Sequence, residues 1–136
     1  MVDGGCLCGG VRFRVTGPIG PAVFCHCSMC RRASGSAFAS NASVASDDFR
    51  IVSGAELVQK YESSPGKFRH FCGRCGSPLF SLDPATPGQT RIRLGTVDGD
   101  PGTRPALHYA VESKAPWFEI TDALPRLEST EDRSTR

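Results

Sequence analysis

The sequence predicts a mainly β protein, built from short antiparallel strands with one short helix and cross-linked through cysteines. Three observations point there. Glycine and proline are abundant, at 15 and 10 of 136 residues. Apolar and polar residues alternate with period two in several segments, and seven cysteines fall into three tight clusters. Turn-forming residues at this density favour many short elements over a few long helices. With hydrophobic residues at 39% and aromatics at 8%, the core is expected to be thin for a chain of this length.

Val11, Phe13 and Val15 alternate with Arg12, Arg14 and Thr16, so this segment presents one apolar face as a strand. A second strand is expected at 21–25. After it, Ser28 is placed to cap a two-turn helix over Met29–Ser34, and Gly35 to end it. Less regular strands follow at 36–42, 57–62, 67–72 and 78–82, and a short turn begins at Ser46, where Asp47 and Asp48 suit its positive end. Ile92 and Leu94 alternate with Arg91 and Arg93. Leu107, Tyr109 and Val111 alternate with His108, Ala110 and Glu112. About eight such strands suggest antiparallel sheets packed face to face, or a partly open barrel. Residues 1–127 read as a single domain and 128–136, polar and charged, as a flexible tail.

The formal charge is +2, carried by thirteen arginines and only three lysines. A charge this small implies no field for nucleic acid or an anionic membrane. No apolar run is long enough to span a bilayer, and Met1-Val-Asp-Gly-Gly-Cys-Leu-Cys lacks the basic start and apolar stretch of a signal peptide. The expectation is a cytoplasmic protein with no membrane partner. In that reducing setting cysteines serve as metal ligands or catalysts rather than as disulfides.

The clusters are Cys6-x-Cys8, Cys25-x-Cys27-x-x-Cys30 and Cys72-x-x-Cys75. Residues two apart on an extended segment point the same way, and residues three apart share a face of a helical turn. A strand-to-helix corner can therefore bring the sulfurs of Cys25, Cys27 and Cys30 to one point. Cys8 and Cys75 each precede a glycine, Gly9 and Gly76, which lets the chain turn back with positive φ. Two such knuckles facing one another make a closed four-thiolate zinc site from Cys6, Cys8, Cys72 and Cys75. Cys30 precedes Arg31, and its cluster keeps three ligands and an open position, as catalytic zinc sites do. Two other readings stand beside this one. The four cysteines could be buried free thiols, and the middle three could hold a second structural zinc completed by a His or carboxylate.

The segments Cys6-Leu-Cys8-Gly9-Gly10-Val11-Arg12-Phe13, Cys25-His26-Cys27-Ser28-Met29-Cys30-Arg31-Arg32 and Phe71-Cys72-Gly73-Arg74-Cys75-Gly76-Ser77 resemble the glutathione-dependent formaldehyde-activating enzyme family, which also contains centromere protein V. Agreement continues through Leu94-Gly95-Thr96-Val97-Asp98 and Ser113-Lys114-Ala115-Pro116-Trp117. The resemblance implies a zinc-stapled β fold of the Mss4-like kind, with a structural zinc on Cys6, Cys8, Cys72 and Cys75. It implies a more labile zinc on Cys25, Cys27 and Cys30 at the site of a small thiol such as glutathione.

The chemistry expected is that of a carbon–sulfur lyase: a C–S bond between a thiol and formaldehyde, or a similar carbonyl, is made or broken at the three-cysteine site. Zinc held by three thiolates activates water poorly but accepts a fourth thiolate well. Cys27 and Cys30, near a helix start with Arg31 and Arg32 at hand, are expected to have depressed pKa values. Arg31 and Arg32 are candidates for binding substrate carboxylates, with a solvated helix face or an ion pair to the thiolates as the alternative. His26 should point away from the sulfurs of its neighbours and support rather than catalyse. His70 and His108 read as ordinary sheet residues, and Trp117 as a core residue or else a pocket rim. The competing function is a non-catalytic, zinc-stapled module for protein or nucleic acid, against which stands the lack of a basic tail or an aromatic-plus-basic strip. A redox or metal-sensing role for the middle cluster is a third.

Overall fold

The computed structural model describes residues 1–129, so of the tail expected at 128–136 all but Glu128 and Ser129 lies outside the described residues. Among the described residues eleven strands form two sheets. The smaller has the order β1 (Val2–Gly5), β2 (Arg12–Val15) and β5 (Phe49–Ser53), antiparallel throughout. The larger contains β3 (Ala22–Cys25), β4 (Ala39–Ala45), β6 (Val58–Ser64), β7 (Lys67–Cys72), β8 (Pro78–Leu82), β9 (Gln89–Arg93), β10 (Pro105–Tyr109) and β11 (Arg126–Leu127). Its order is β11-β10-β3-β4-β9-β8-β7-β6. The helix α1 spans Ser28–Ser34 and follows β3 directly.

The mainly β architecture with a single α-helix is as the sequence indicates, with two differences in detail. β10 lies parallel to β3 and to β11, not antiparallel. A parallel pair needs a long crossover, and here five strands of the same sheet lie between β3 and β10 in sequence. The helix is capped by Cys27, one residue earlier than Ser28. The Cys27 sulfur accepts the Cys30 N–H at 3.3 Å. Gly35 ends the helix in the left-handed conformation, φ 63°, and its N–H returns to the Arg31 carbonyl at 2.8 Å.

One face of each sheet builds the main core. Phe13 and Val15 of β2 pack with Ala42 and Val44 of β4, Ile92 of β9 and Phe80 of β8, while Phe49 and Ile51 of β5 close the rim. Burying side chains of this kind contributes about 1.5–3 kcal/mol each. Cys6 and Cys72 lie at one end of this core. A second buried cluster gathers Cys25, Cys27 and Cys30 with Ala39, Tyr109 and Ala110 on the other side of the large sheet. Alternation places Cys25 and Val23 of β3 on that outer face. The register carries the face across through Asn41 and Ser43 of β4, Arg91 and Arg93 of β9, Ser81 of β8 and Arg69 of β7. All three arginines are buried there. The period-two pattern of Arg91-Ile92-Arg93 reads as polar-out, but α1 stands over the Arg69 and Arg93 end of that outward face, and Pro21, Ala106 and Leu107 flank Arg91.

Candidate metal centres and active site

The four-cysteine site joins the two sheets. Cys6 and Cys8 stand in the turn between β1 and β2; Cys72 ends β7 and Cys75 lies in the turn to β8. All four sulfurs fall within 4.8 Å of one another. The Cys6–Cys8 separation is 3.5 Å and Cys8–Cys72 is 3.9 Å. Tetrahedral zinc with bonds of ~2.3 Å holds its sulfurs ~3.8 Å apart, so the donor set fits that ion in number, chemistry and spacing. Gly9 (φ 76°) and Gly76 (φ 79°) turn the two knuckles. Their N–H groups close the turns onto the carbonyls of Cys6 (3.1 Å) and Cys72 (2.8 Å) rather than onto sulfur. The sulfurs are served by other donors: Val11 N–H to Cys6 at 3.2 Å, Arg74 N–H to Cys72 at 3.4 Å and the Arg74 guanidinium to Cys8 at 3.3 Å. The Ser77 hydroxyl, then its backbone N–H, holds Cys75 at about 5. The backbone N–H of Gly10, then Arg74, draws Cys8 below the ordinary thiol range. Thiolates are the metal-binding form, so these donors prepare the site for a cation.

The three-cysteine site is the corner where β3 runs into α1. Cys25 ends the strand, Cys27 caps the helix and Cys30 lies in its first turn, which brings their sulfurs within 4.8 Å of one another. All three residues are buried, so the open coordination position expected from the sequence would lie in an enclosed corner. Crowding by Cys27 and Cys30, then burial, pushes the Cys25 thiol far up. Three thiols this close shed their protons readily only when a cation takes their place, and a divalent thiophilic metal fits the set. Two arginines the sequence analysis did not single out stand behind the site. The Arg69 guanidinium nitrogens lie 3.8 Å from the Cys30 sulfur, and its Nε donates to Ser63 at 3.0 Å. Arg93, held by burial at about 10, feels the charges of Cys30 and Cys25.

On the inner face of the sheet His26 points away from the sulfurs that flank it. Its Nε2 lies 2.8 Å from His108 Nδ1, and His108 Nε2 lies 3.0 Å from the Asp122 carboxylate. A carboxylate only accepts, so His108 donates to Asp122 and accepts from His26. Burial pushes His26 down to about 4, which keeps its ring neutral. Phe24, Phe38 and Phe118 pack around the two rings. The chain ties the backbone between two candidate ligands to Asp122 on the far loop. His70, by contrast, stacks on Phe80 in the sheet, with ring centroids 4.3 Å apart.

A family model described as glutathione-dependent formaldehyde-activating enzyme matches residues 1–113. The chain belongs to that family. A protein of Halomonas elongata bearing the family's name is 39% identical over 130 residues, covering 88% of this chain and 81% of its own. A crystal structure of a Rhodobacter sphaeroides protein is similar with a TM-score of 0.65 at 28% identity, covering 76% of this chain and 97% of that one. In this member of the glutathione-dependent formaldehyde-activating family, the two candidate substrate-binding arginines part company. Arg32 is exposed and lines a groove beside α1 together with Met29, Tyr61, Ser63 and Arg69. Arg31 is half-buried, with its Nε enclosed away from that groove's lining. Trp117, read as a core residue or else a pocket rim, is 70% exposed in a turn after Pro116 and lines an open pocket with Phe118 and Ile120, which agrees with the second reading. No helix among the described residues is long and apolar enough to cross a membrane.

Proposed function

We propose that this protein is a zinc-dependent carbon–sulfur lyase-like enzyme that makes or breaks the adduct between a small thiol, of the glutathione type, and formaldehyde. The observation that carries the reading is the division of seven cysteines into a group of four and a separate, buried group of three, within a chain of this family. Cys6, Cys8, Cys72 and Cys75 would hold a structural zinc. Cys25, Cys27 and Cys30 would hold a second, more labile one. That second ion would supply a Lewis-acid position at which a substrate thiol sheds its proton and stays a competent nucleophile at neutral pH.

The chain's own residues do the rest. Cys27 and Cys30 are fixed by the helix turn they define, Cys25 by its place at the end of β3, and Arg69 offsets negative charge at Cys30. Arg32, at the groove beside α1, is the better placed of the two helix arginines to meet a substrate carboxylate. In the forward direction the thiol sulfur bonds to the carbonyl carbon, the C=O π pair moves to oxygen, and the proton lost by the thiol ends on that oxygen. The reverse breaks the same C–S bond, and neither direction needs an oxidant. The thiolate chemistry suits a reducing compartment, consistent with a cytoplasmic protein.

Metal analysis with an adduct assay tests this. Wild-type protein should carry near two zinc ions per chain and accelerate exchange of ¹³C-formaldehyde with its glutathione adduct. Cys27→Ser should keep the fold and one zinc and lose the acceleration. Undiminished exchange in Cys27→Ser would remove the reading.

A further inference from the structure

The two edges of the large sheet are unlike. β11 is two residues long, whereas β6 runs for seven, Val58–Ser64, and contains neither proline nor glycine. Gln59, Lys60, Tyr61 and Glu62 are exposed, Tyr61 at 66%. An unpaired edge offers its N–H and C=O groups to any strand that fits, and shortness or proline is what normally blunts it. β11 is blunted by its length. β6 is not.

The ladder decides which groups of β6 face outward. The Gly73 N–H donates to the Leu57 carbonyl at 2.7 Å, one step before the pair Val58 and Cys72. Antiparallel pairs alternate between bonded and non-bonded. Gln59 and Tyr61 therefore bond to β7, and Val58, Lys60 and Glu62 turn their backbone groups to the free edge. The Cys72 N–H agrees, since it runs away from β6 to the Ser77 carbonyl at 3.0 Å. A register shift between Glu62 and Ser64 ends the regular edge.

The charges of this segment complement themselves. Lys60 and Glu62 lie on one face of the strand and Tyr61 on the other. Among the described residues neither Lys60 nor Glu62 forms an ion pair. The Lys60 ammonium lies over the Phe68 ring, 4.7 Å from its centroid, and Glu62 accepts the Gly66 N–H at 2.9 Å. A second β6 laid antiparallel, with a two-fold axis at Tyr61, sets Lys60 of each copy opposite Glu62 of the other. Those are also the residues whose backbone groups face outward, so each such pair is a hydrogen-bonded one. Moving the axis by one residue, to Lys60 or to Glu62, sets like charges opposite each other, which is destabilising. One register attracts and its two neighbours repel.

We propose that β6 is a homodimer interface, through which two copies of this chain pair antiparallel along Val58–Glu62 about a two-fold axis at Tyr61. The two large sheets then continue into one, and the contact is isologous, each copy giving and receiving the same two charge pairs. On the opposite face the Tyr61 rings of the two copies meet. Tyr61 lines the groove beside α1 with Met29 and Ala33, so the pairing sets the two grooves side by side. The proposal stands apart from the thiol-site reading above and does not need it.

The test is sedimentation of the full chain at concentrations from about 1 to about 100 μM, the range in which dimers of moderate affinity dissociate. Wild type should approach twice the 14.5 kDa chain mass at the upper end. Lys60→Glu should weaken association about tenfold or more, because both symmetric pairs turn from attraction to repulsion. The exchanged double variant, Lys60→Glu with Glu62→Lys, should recover wild-type affinity to within about threefold, since it restores opposite charges in the same register. A wild type that stays at the chain mass throughout would overturn the proposal and leave the edge to some other strand. A dimer indifferent to Lys60→Glu, or one that the exchange does not recover, would place the contact elsewhere and overturn it as well. Should a variant lose its native far-UV spectrum, amide exchange of wild type decides. The amides of Val58, Lys60 and Glu62 should slow between the lowest and highest concentration while those of Gln59 and Tyr61 do not change. Equal exchange at both concentrations would overturn the pairing.

Discussion

At the four-cysteine site Cys8 is exposed and Cys75 half-buried, whereas Cys25, Cys27 and Cys30 are all enclosed. Exposure alone would favour the four-cysteine group as the ligand site, the opposite of the proposed function. What separates the sites is how each satisfies its sulfurs. Around Cys6, Cys8, Cys72 and Cys75 the donors are backbone N–H groups and a surface arginine, fixed by two glycine-turned knuckles, and four sulfurs converge, the number a tetrahedral zinc takes. Around Cys25, Cys27 and Cys30 three sulfurs converge, and the buried Arg69 and Arg93 lie near them, Arg69 at 3.8 Å from the Cys30 sulfur. One arrangement is saturated and ties the β1–β2 turn to the β7–β8 turn. The other offers three donors, and on the proposed function its fourth would be the substrate thiol.

The sharpest break of that comparison is to remove one ligand from each site. A structural zinc contributes about 10–16 kcal/mol of apparent binding free energy, while a domain of this size has about 5–15 kcal/mol in total. Cys72→Ser, at the buried end of β7, should therefore unfold the chain, seen as loss of the β signal in far-UV circular dichroism. Cys27→Ser should leave that signal intact and the zinc content near one. A native spectrum for the fully chelated protein would show that the knuckles are held by their hydrogen bonds and the core instead. Graded chelation should release the ion of the three-cysteine site first.

Much of this was legible locally and little of it at long range. C-x-C and C-x-x-C spacings encode which sulfurs converge, because strand and helix periodicities act over two to four residues, and the glycine after Cys8 and Cys75 marks the turn. The strands around Val11, Phe13 and Val15 and around Ile92 follow from alternation for the same reason. Val2–Gly5 carried no such pattern. Its two glycines lie where a Cβ on Gly4 would come within 2.4 Å of the Phe13 ring, so the strand exists through pairing with β2 and not through propensity. Arg69 and Arg93 were hidden because their burial depends on α1 covering a sheet face from elsewhere in the sequence. Trp117 follows its second reading, a pocket rim: a large aromatic suggests core, but the turn after Pro116 leaves it outside, beside Phe118 and Ile120.

A smaller effect tests how the three-cysteine corner is held from behind. His108→Phe keeps a ring among Phe24, Phe38 and His26 but strands the His26 N–H in a buried place. A buried donor left without a partner costs about 1–3 kcal/mol. The urea midpoint should fall accordingly, and zinc retention should weaken at the three-cysteine site while the four-cysteine site is unaffected. Equal loss from both sites would mean that His108 matters to the sheet as a whole.

The smallest effect lies at the end of the same chain. The hydrogen bond from His108, and then the Leu124 N–H, hold the Asp122 carboxyl below the ordinary carboxylate range. A carboxylate depressed in the folded state adds stability that is fully present above its unfolded pKa, about 3.9. That contribution fades as the pH falls from there through the lower folded value. Asp122→Asn should thus lower stability slightly at neutral pH and converge with wild type in acid, giving a flatter acid limb in denaturation midpoints measured between about pH 2 and pH 7. Asp122 is partly solvated, so the shift should be smaller than that of His108→Phe. Parallel curves for the two proteins across that range would mean that His108 holds His26 in place without help from the carboxylate.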